Sequence, residues 1–165
     1  MVVVIGIDPG AANTGYGVVL ARAGKLAALD GGVIETAGSE PLERRLARIH
    51  ARVCDLIAEH EPEAMAVEDL FFGQNARTAF SVGQARGVAL LSAGMAGIRC
   101  FSYTPQEVKS AVCGTGRAGK DQVQRMVGAL LNLPELPEPD HAADALAVAI
   151  CHANGVATRT AVGLA

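Results

Sequence analysis

The sequence contains no tryptophan, and phenylalanine and tyrosine together make up only 4% of its 165 residues. Its four cysteines, Cys54, Cys100, Cys113 and Cys151, are far apart, and no two of them form a C-x-x-C pair. This spacing argues against a structural zinc site and against a disulfide framework. We therefore expect four free thiols, most of them buried.

Long hydrophobic runs are also missing, although hydrophobic residues make up 50% of the chain. No uncharged apolar stretch approaches the ~20 residues needed to span a membrane. The N-terminal apolar run has no basic region before it and stops at Asp8, so it does not resemble a secretory signal. We expect a cytoplasmic protein without membrane contact, with one domain over residues 1–155 and a disordered tail over 156–165.

The hydrophobic pattern predicts three strands before the first helix, at 2–8, 16–20 and within 26–36. Helical periodicity then predicts helices that alternate with two further strands. The predicted order is helix 42–57, strand 64–67, helix 75–96, strand 98–103, a helix from 105, and helices over 121–131 and 142–153. This order is typical of an α/β fold with a mixed five-stranded sheet, three antiparallel strands first, flanked by helices. The first strand is so apolar that we expect it to be central.

Asp8 is the most informative residue, because it ends this apolar strand with a carboxylate. Glu68 ends the predicted fourth strand, and functional groups in α/β folds gather at such sheet ends. If the first and fourth strands are neighbours, the two carboxylates lie side by side. Like charges so close do not both stay ionised unless a cation lies between them. An exposed acid at the end of a strand is the alternative interpretation of Glu68.

The last predicted helix supplies further candidate ligands. His141 and Asp144 are three residues apart and Asp140 and Asp144 are four apart, so helical geometry does not choose between the pairs. We assign Asp140 to the N-cap of this helix, because it follows Pro139 at the predicted start. Asp144 lies in an otherwise apolar run, where a buried acid requires a partner. Metal ligation explains it economically, and an arginine partner is the alternative.

Charge is distributed unevenly along the chain, although the net charge is only −3. Between Phe71 and Leu131 there are seven basic residues and two acidic ones, whereas eight acids and four arginines lie between Glu40 and Asp69. A basic segment can hold a polyanion while acidic residues elsewhere bind metal. Ordinary solvated helix faces are the alternative.

These residues stand in motifs that resemble the RuvC family of Holliday junction resolvases, within the RNase H-like nuclease superfamily, over nearly the whole length. The order and spacing of the matches make the resemblance specific. The matching segments are Ile5-Gly-Ile-Asp8-Pro-Gly, Thr14-Gly-Tyr-Gly-Val, Val67-Glu68 with Phe71, Asn75-Ala, Gly83-Gln-Ala-Arg-Gly-Val-Ala, Val108-Lys109, Gly119-Lys120 with Gln122-Val-Gln, and Ala142-Ala-Asp144-Ala-Leu-Ala.

The resemblance implies an RNase H-like fold and a metal-dependent endonuclease. Asp8, Glu68 and Asp144 become catalytic metal ligands, and His141 takes the fourth place, where many members have aspartate. Two Mg²⁺ or Mn²⁺ ions about 4 Å apart would drive hydrolysis of the phosphodiester. Imidazole suits manganese better than magnesium and must be neutral to bind a metal. His141 is expected to be a ligand, with a general base as the alternative.

The resemblance also implies how DNA is bound. Lys109 and Lys120 match lysines of the family's catalytic face and would contact phosphates, with Arg77 and Arg86 as weaker candidates. Phe71, which Phe72 follows, matches an aromatic residue that stacks on an unpaired base at the junction.

A homodimer is expected, because a four-way junction is two-fold symmetric and paired nicks need two sites. The RuvA–RuvB branch-migration machinery is the further partner that the resemblance implies.

Two other interpretations are weaker. Gly114-Thr-Gly-Arg-Ala-Gly-Lys120 matches most of a P-loop, but Asp121 stands where Ser or Thr is needed and no strand precedes it, so we interpret it as a basic loop beside DNA. Gly6-Ile-Asp8-Pro-Gly10 resembles the first phosphate loop of actin-like and sugar-kinase ATPases, which need about twice this length. A junction-binding scaffold without catalysis remains an alternative, although no acid is missing except through the exchange to His141.

Overall fold

The computed structural model describes residues 1–69 and 76–161, without the side chains of 76–78 and 156–161. Five strands and five helices follow one another within these ranges. Their order is β1 Val2–Asp8, β2 Asn13–Arg22, β3 Lys25–Glu35, α1 Leu42–His60, β4 Ala64–Glu68, α2 Ala76–Met95, β5 Arg99–Tyr103, α3 Pro105–Cys113, α4 Lys120–Leu130 and α5 Asp140–Ala161. No helix of the described ranges is both long enough and apolar enough to cross a membrane.

The five strands form one mixed sheet in the order β3-β2-β1-β4-β5. β1, β2 and β3 pair antiparallel, whereas β1 with β4 and β4 with β5 are parallel. β1 is central because its side chains are apolar on both faces, and Val4, Ile5 and Ile7 are fully buried. The predicted fold class and the central place of the first strand are confirmed.

Each face of the sheet packs against a different set of helices. Val4, Val19 and Ala66 lie in a core that α3, α4 and α5 cover. Ile5, Ile7 and Met65 face the other way, into the core beneath α1 and α2. Since side chains alternate along a strand, Asp8 and Glu68 project on the same face as Val4 and Ala66. Both carboxylates therefore lie on the side of the sheet that carries α5.

Helix α5 packs directly against the main chain of β1 and β2, at glycine residues that have no side chain. A Cβ at Gly15 would clash with the carbonyl oxygen of His141, and one at Gly6 would clash with that of Ala145. A Cβ at Gly17 would come within 2.7 Å of the Leu146 side chain. These glycines let the first two turns of α5 approach β1 and β2 more closely than any side chain would permit.

The structure differs from the sequence predictions at both ends of the last helix. Asp140 is not the N-cap but the first helical residue, and its carboxylate lies 3.0 Å from Lys120 Nζ. The N-cap assignment was wrong because the Pro139 carbonyl oxygen accepts the first helical hydrogen bonds, from Ala142 and Ala143, so the cap position lies one residue earlier. At the other end α5 continues to Ala161, past the start of the predicted tail at residue 156. The division into a domain over 1–155 and a tail stays a prediction.

Candidate active site

Asp8 and Glu68 end two neighbouring parallel strands at the same edge of the sheet. Ile7 pairs with Val67 in the β1–β4 register, so the next residue of each strand carries a carboxylate beside the other. The two carboxyl groups are close enough for the charge of Asp8 to raise the pKa of Glu68. The predicted side-by-side placement is present.

Helix α5 brings two more candidate ligands to this edge. His141 Nδ1 lies 2.8 Å from Asp8 Oδ2, and one ligand atom each of Asp8, His141 and Asp144 fall within 4.8 Å of one another. His141 is in the first turn of α5, directly over Gly15, which pairs with Asp8 across the β1–β2 ladder. The bare backbone at Gly15 therefore sets the distance between the histidine and the aspartate.

The turn between β1 and β2 is fixed by Thr14, whose side chain is fully buried. Its hydroxyl donates to the carbonyl oxygen of Gly10 at 2.6 Å. Thr36 ties the same turn to the end of β3, because its hydroxyl donates to the Ala11 carbonyl oxygen at 2.5 Å. These two hydrogen bonds hold the turn that follows β1, so they fix the position of Asp8 at the end of that strand.

The electrostatics of the site show a shortage of positive charge. The pKa of Glu68 is raised to about 8, first by burial, then by the charge of Asp8 and by the hydrogen bond between the two carboxyl groups. Burial also raises the pKa of Asp144, followed by the charge of Asp8, against the opposite effects of Lys120 and His141. A cation would relieve this repulsion and restore the charged forms. Oxygen ligands with one imidazole suit a hard or borderline divalent metal, so the residues present fit such an ion.

Two lysines, Lys109 and Lys120, line a cleft of about 250 Å³ together with Glu68 and Asp144. Lys109 lies in α3, whose start is fixed by a capping box between Thr104 and Glu107. Lys120 begins α4. The rest of the lining is apolar and consists of Pro105, Val108, Val123 and Ala147. The sequence did not predict this apolar lining. Its residues lie on three separate helices, and on each helix they have the spacing of ordinary core positions.

The loop before Lys120 follows helix α3, which ends at Gly114 in a left-handed conformation with φ 75°. No strand leads into it, and Lys120 is the first residue of α4. This order does not fit a P-loop, which joins a strand to a helix, so the sequence-based rejection of that motif is confirmed.

The other predicted DNA-binding residues are placed less directly. Arg86 donates a hydrogen bond to Ser102 Oγ at 2.6 Å and lies 3.4 Å from Asp69 Oδ1. Ser102 pairs with Val67, whose side chain faces α1 and α2, so Arg86 approaches the sheet from the side opposite Glu68. Arg77 lies in the first turn of α2, but its side chain is outside the described part. Phe71 and Phe72 lie outside the described residues.

A second cluster of similar composition lies elsewhere on the surface. One ligand atom each of Asp30, Glu59 and His60 come within 4.8 Å of one another. Asp30 already has partners, because its carboxylate accepts from the Gly31 N–H at 2.7 Å and lies 3.8 Å from Arg52 Nη2 and 3.3 Å from His60 Nε2. An arginine that pairs with a carboxylate opposes cation binding there, so we assign a structural role to this cluster.

Comparison with known proteins agrees with the geometry. The family model described as crossover junction endodeoxyribonuclease RuvC matches residues 4–152. The protein of that name from Moorella thermoacetica is 58% identical over 151 residues, which cover 92% of this chain and 90% of the relative. Its counterpart from Rubrobacter xylanophilus is 53% identical over 151 residues, which cover 92% and 84% of the two chains.

Solved structures give the same result. T. thermophilus RuvC in complex with Holliday junction substrate superposes with a TM-score of 0.92 at 43% identity, over 97% of this chain and 98% of that one. The yeast mitochondrial Holliday junction resolvase shares the fold, with a TM-score of 0.66 at 15% identity over 96% and 82% of the two chains. The predicted RNase H-like fold is confirmed. The chain belongs to the RuvC family of crossover junction endodeoxyribonucleases.

Proposed function

We propose that this protein resolves four-way DNA junctions by paired, metal-dependent hydrolysis of phosphodiester bonds, in recombination and repair. The observation that carries the proposal is the convergence of three carboxyl groups and an imidazole at one sheet edge, with two lysines in the adjoining cleft. Family membership supports the substrate, since the T. thermophilus relative is described in complex with Holliday junction substrate.

Asp8, Glu68, His141 and Asp144 would hold two divalent ions, Mg²⁺ or Mn²⁺. Such ions supply Lewis-acid chemistry that polarises a phosphodiester and activates a water molecule. Burial and the charge of Asp8 raise the pKa values of Glu68 and Asp144, and a bound cation would favour the charged forms of both. His141 acts as a ligand in this proposal, and its alternative role is a general base.

The chain's own cations would bind the DNA. Lys109 and Lys120 line the cleft beside Glu68 and Asp144, where the phosphate oxygens of a bound strand would pair with their ammonium groups. Phe71 and Phe72 follow Glu68 closely in the sequence, and we propose that they stack on an unpaired base at the junction centre. Arg77 and Arg86 complete the proposed DNA contacts. The ties of Arg86 to Ser102 and Asp69 favour a weaker contribution from it.

We also propose a homodimer that uses the outer face of α2. Phe80 is 71% exposed, Leu91 57% and Met95 71%. Spacings of eleven and four residues place these three side chains on one stripe of the helix, with Gly87 between them. A second copy packed on this stripe would bury it and relate the two active sites by the two-fold axis that a junction requires. Cooperation with RuvA and RuvB, and with it a cytoplasmic location, is proposed from family membership.

The decisive experiment is strand nicking of a mobile four-way junction beside a linear duplex of the same sequence, each with Mg²⁺, with Mn²⁺ and with chelator. We expect symmetric nicks confined to the junction and abolished by chelator. A stronger response to Mn²⁺ that disappears in His141→Asp would support the histidine as a ligand. Junction binding without nicks in either metal would favour the scaffold, and an ATP-dependent thermal shift without junction binding would favour the ATPase interpretation.

A further inference from the structure

Lys120 lies between two carboxylates of helix α5 and is closer to one of them. Its Nζ is 3.0 Å from Asp140 Oδ2 and 3.9 Å from Asp144 Oδ2. Asp144 belongs to the ligand group with Asp8 and His141, whereas Asp140 does not. Asp140 and Asp144 therefore compete for one ammonium group, and Asp140, which lies outside the ligand group, makes the shorter contact.

This competition matters because Asp144 is short of positive charge. An ammonium group that moved fully onto Asp144 would neutralise it and occupy an oxygen that a divalent cation needs. It would also leave the mouth of the cleft, where Lys120 lies with Lys109. A partner that keeps Lys120 away from Asp144 leaves the Asp144 oxygens free for a cation and keeps the ammonium group in the cleft.

The first turns of α4 and α5, which contain Lys120 and Asp140, are held in place relative to each other. Lys120 is the first residue of α4 and Asp140 the first of α5. Gln124, one turn after Lys120, donates its Nε2–H to the carbonyl oxygen of Pro137 at 2.9 Å. This hydrogen bond ties α4 to the segment that leads into α5, so the Lys120–Asp140 contact lies in a fixed frame although both side chains are exposed.

We propose that Asp140 is a positioning residue that holds the Lys120 ammonium group away from Asp144, which keeps the Asp144 oxygens available to a divalent cation and Lys120 available to phosphate. The proposal deepens the proposed function and rests on it for the phosphate step. The metal-binding step is independent of nicking. Asp140 acts on the reaction only through Lys120 and touches neither substrate nor metal.

The test is Mn²⁺ titration of the DNA-free protein by calorimetry, with Asp140→Asn as the main variant. Without Asp140, Lys120 shifts to Asp144 and competes with the ion. We expect the Mn²⁺ dissociation constant to rise about two- to fivefold, the range typical of one exposed ion pair. Asp140→Glu, which keeps the carboxylate, should restore the wild-type value. Glu138→Gln removes a nearby acid two residues upstream and should leave it unchanged.

A second arm separates this mechanism from simple attraction between Asp140 and the cation. In a Lys120→Met background, Asp140→Asn should have no further effect on Mn²⁺ affinity. An equal loss of affinity in both backgrounds would overturn the proposal, and so would an unchanged affinity in the single variant. Nicking at low Mn²⁺ should fall in Asp140→Asn and recover at saturating Mn²⁺ without a change in kcat. If the wild type binds Mn²⁺ but never nicks a junction, the proposed function fails while the titration still decides the role of Asp140.

Discussion

Two clusters of this molecule combine acids with a histidine, and they differ in what surrounds the acids. Asp8 is 14% exposed, and its close neighbours are two further carboxyl groups and His141. Asp30 is 27% exposed and pairs with Arg52, with His60 and with a backbone N–H. The same residue types thus form a site in need of a cation in one place and an internally paired network in the other.

The difference indicates that a group of buried carboxylates without an arginine partner is a better sign of a cation site than composition alone. A buried carboxylate whose neighbours are other carboxylates raises the free energy of the folded chain until a cation binds. An acid paired with arginine has no such need. Each of the following variants tests whether the cluster around Asp8 serves catalysis and the cluster around Asp30 serves only stability.

The largest effect is expected from Glu68→Gln. The amide keeps the shape of the side chain but removes a proposed metal ligand and the charge that a cation would compensate. We expect junction nicking to fall at least about a thousandfold, which corresponds to about 4 kcal/mol of transition-state stabilisation. Single-turnover nicking at saturating Mn²⁺ measures it. Activity within tenfold of the wild type would contradict the assignment.

The next effect concerns stability against pH in the metal-free protein. The folded pKa of Glu68 is about 8, whereas its ordinary value is 4.5. Between these values the folded state keeps a proton that the unfolded state has released, so stability is lost as pH rises through about 5 to 8, by at most about 1.4 kcal/mol per pH unit. Asp144 shifts in the same direction. Urea unfolding in chelator measures the slope, which should flatten in Glu68→Gln and on addition of Mn²⁺.

A smaller effect is expected where the backbone sets the geometry. In Gly15→Ala the new methyl group meets the His141 carbonyl oxygen, so α5 must move away from β2. We expect a loss of about 1–3 kcal/mol in unfolding free energy, together with weaker Mn²⁺ binding. Gly31→Ala is the matched control, because its methyl group would lie 3.5 Å from Leu146 Cδ1 at ordinary contact distance. Equal behaviour of the two variants would show that the close approach is unimportant.

The smallest effect is expected in the second cluster. Asp30→Asn removes the charge that pairs with Arg52 and His60 at the partly exposed surface, and it should cost less than about 1 kcal/mol of unfolding free energy. Junction nicking and Mn²⁺ affinity should match the wild type. A loss of nicking comparable to that of Glu68→Gln would erase the distinction between the two clusters.

Sequence reasoning predicted the elements whose signals are local. The apolar run that ends at Asp8 predicts both a central strand and the end that carries the carboxylate, since alternation and burial act residue by residue. Gly114 ends α3 where the pattern breaks, with φ 75°. The neighbouring places of Asp8 and Glu68 were predicted only on the condition that the first and fourth strands are neighbours, and the sheet order meets that condition.

Contacts between distant segments were beyond such reasoning. Nothing near Asp140 indicates that Lys120 takes its side chain, because that pairing depends on how α4 packs against α5. Helix α5 passes Gly155 and runs to Ala161, since one glycine does not end a helix that packing supports elsewhere. The cleft wall formed by Val108, Val123 and Ala147 exists only once three helices meet.

The glycines beneath α5 have a consequence for how this active site can evolve. At Gly6 and Gly15 the separation of helix and sheet is set by main-chain atoms, which no substitution can shorten and which an added methyl group would force apart. Substitutions of the surrounding side chains therefore have little effect on the distance between α5 and the sheet residues of the site. Substitutions among the side chains that face the cleft can change the chemistry of the site while the spacing between α5 and the sheet stays the same.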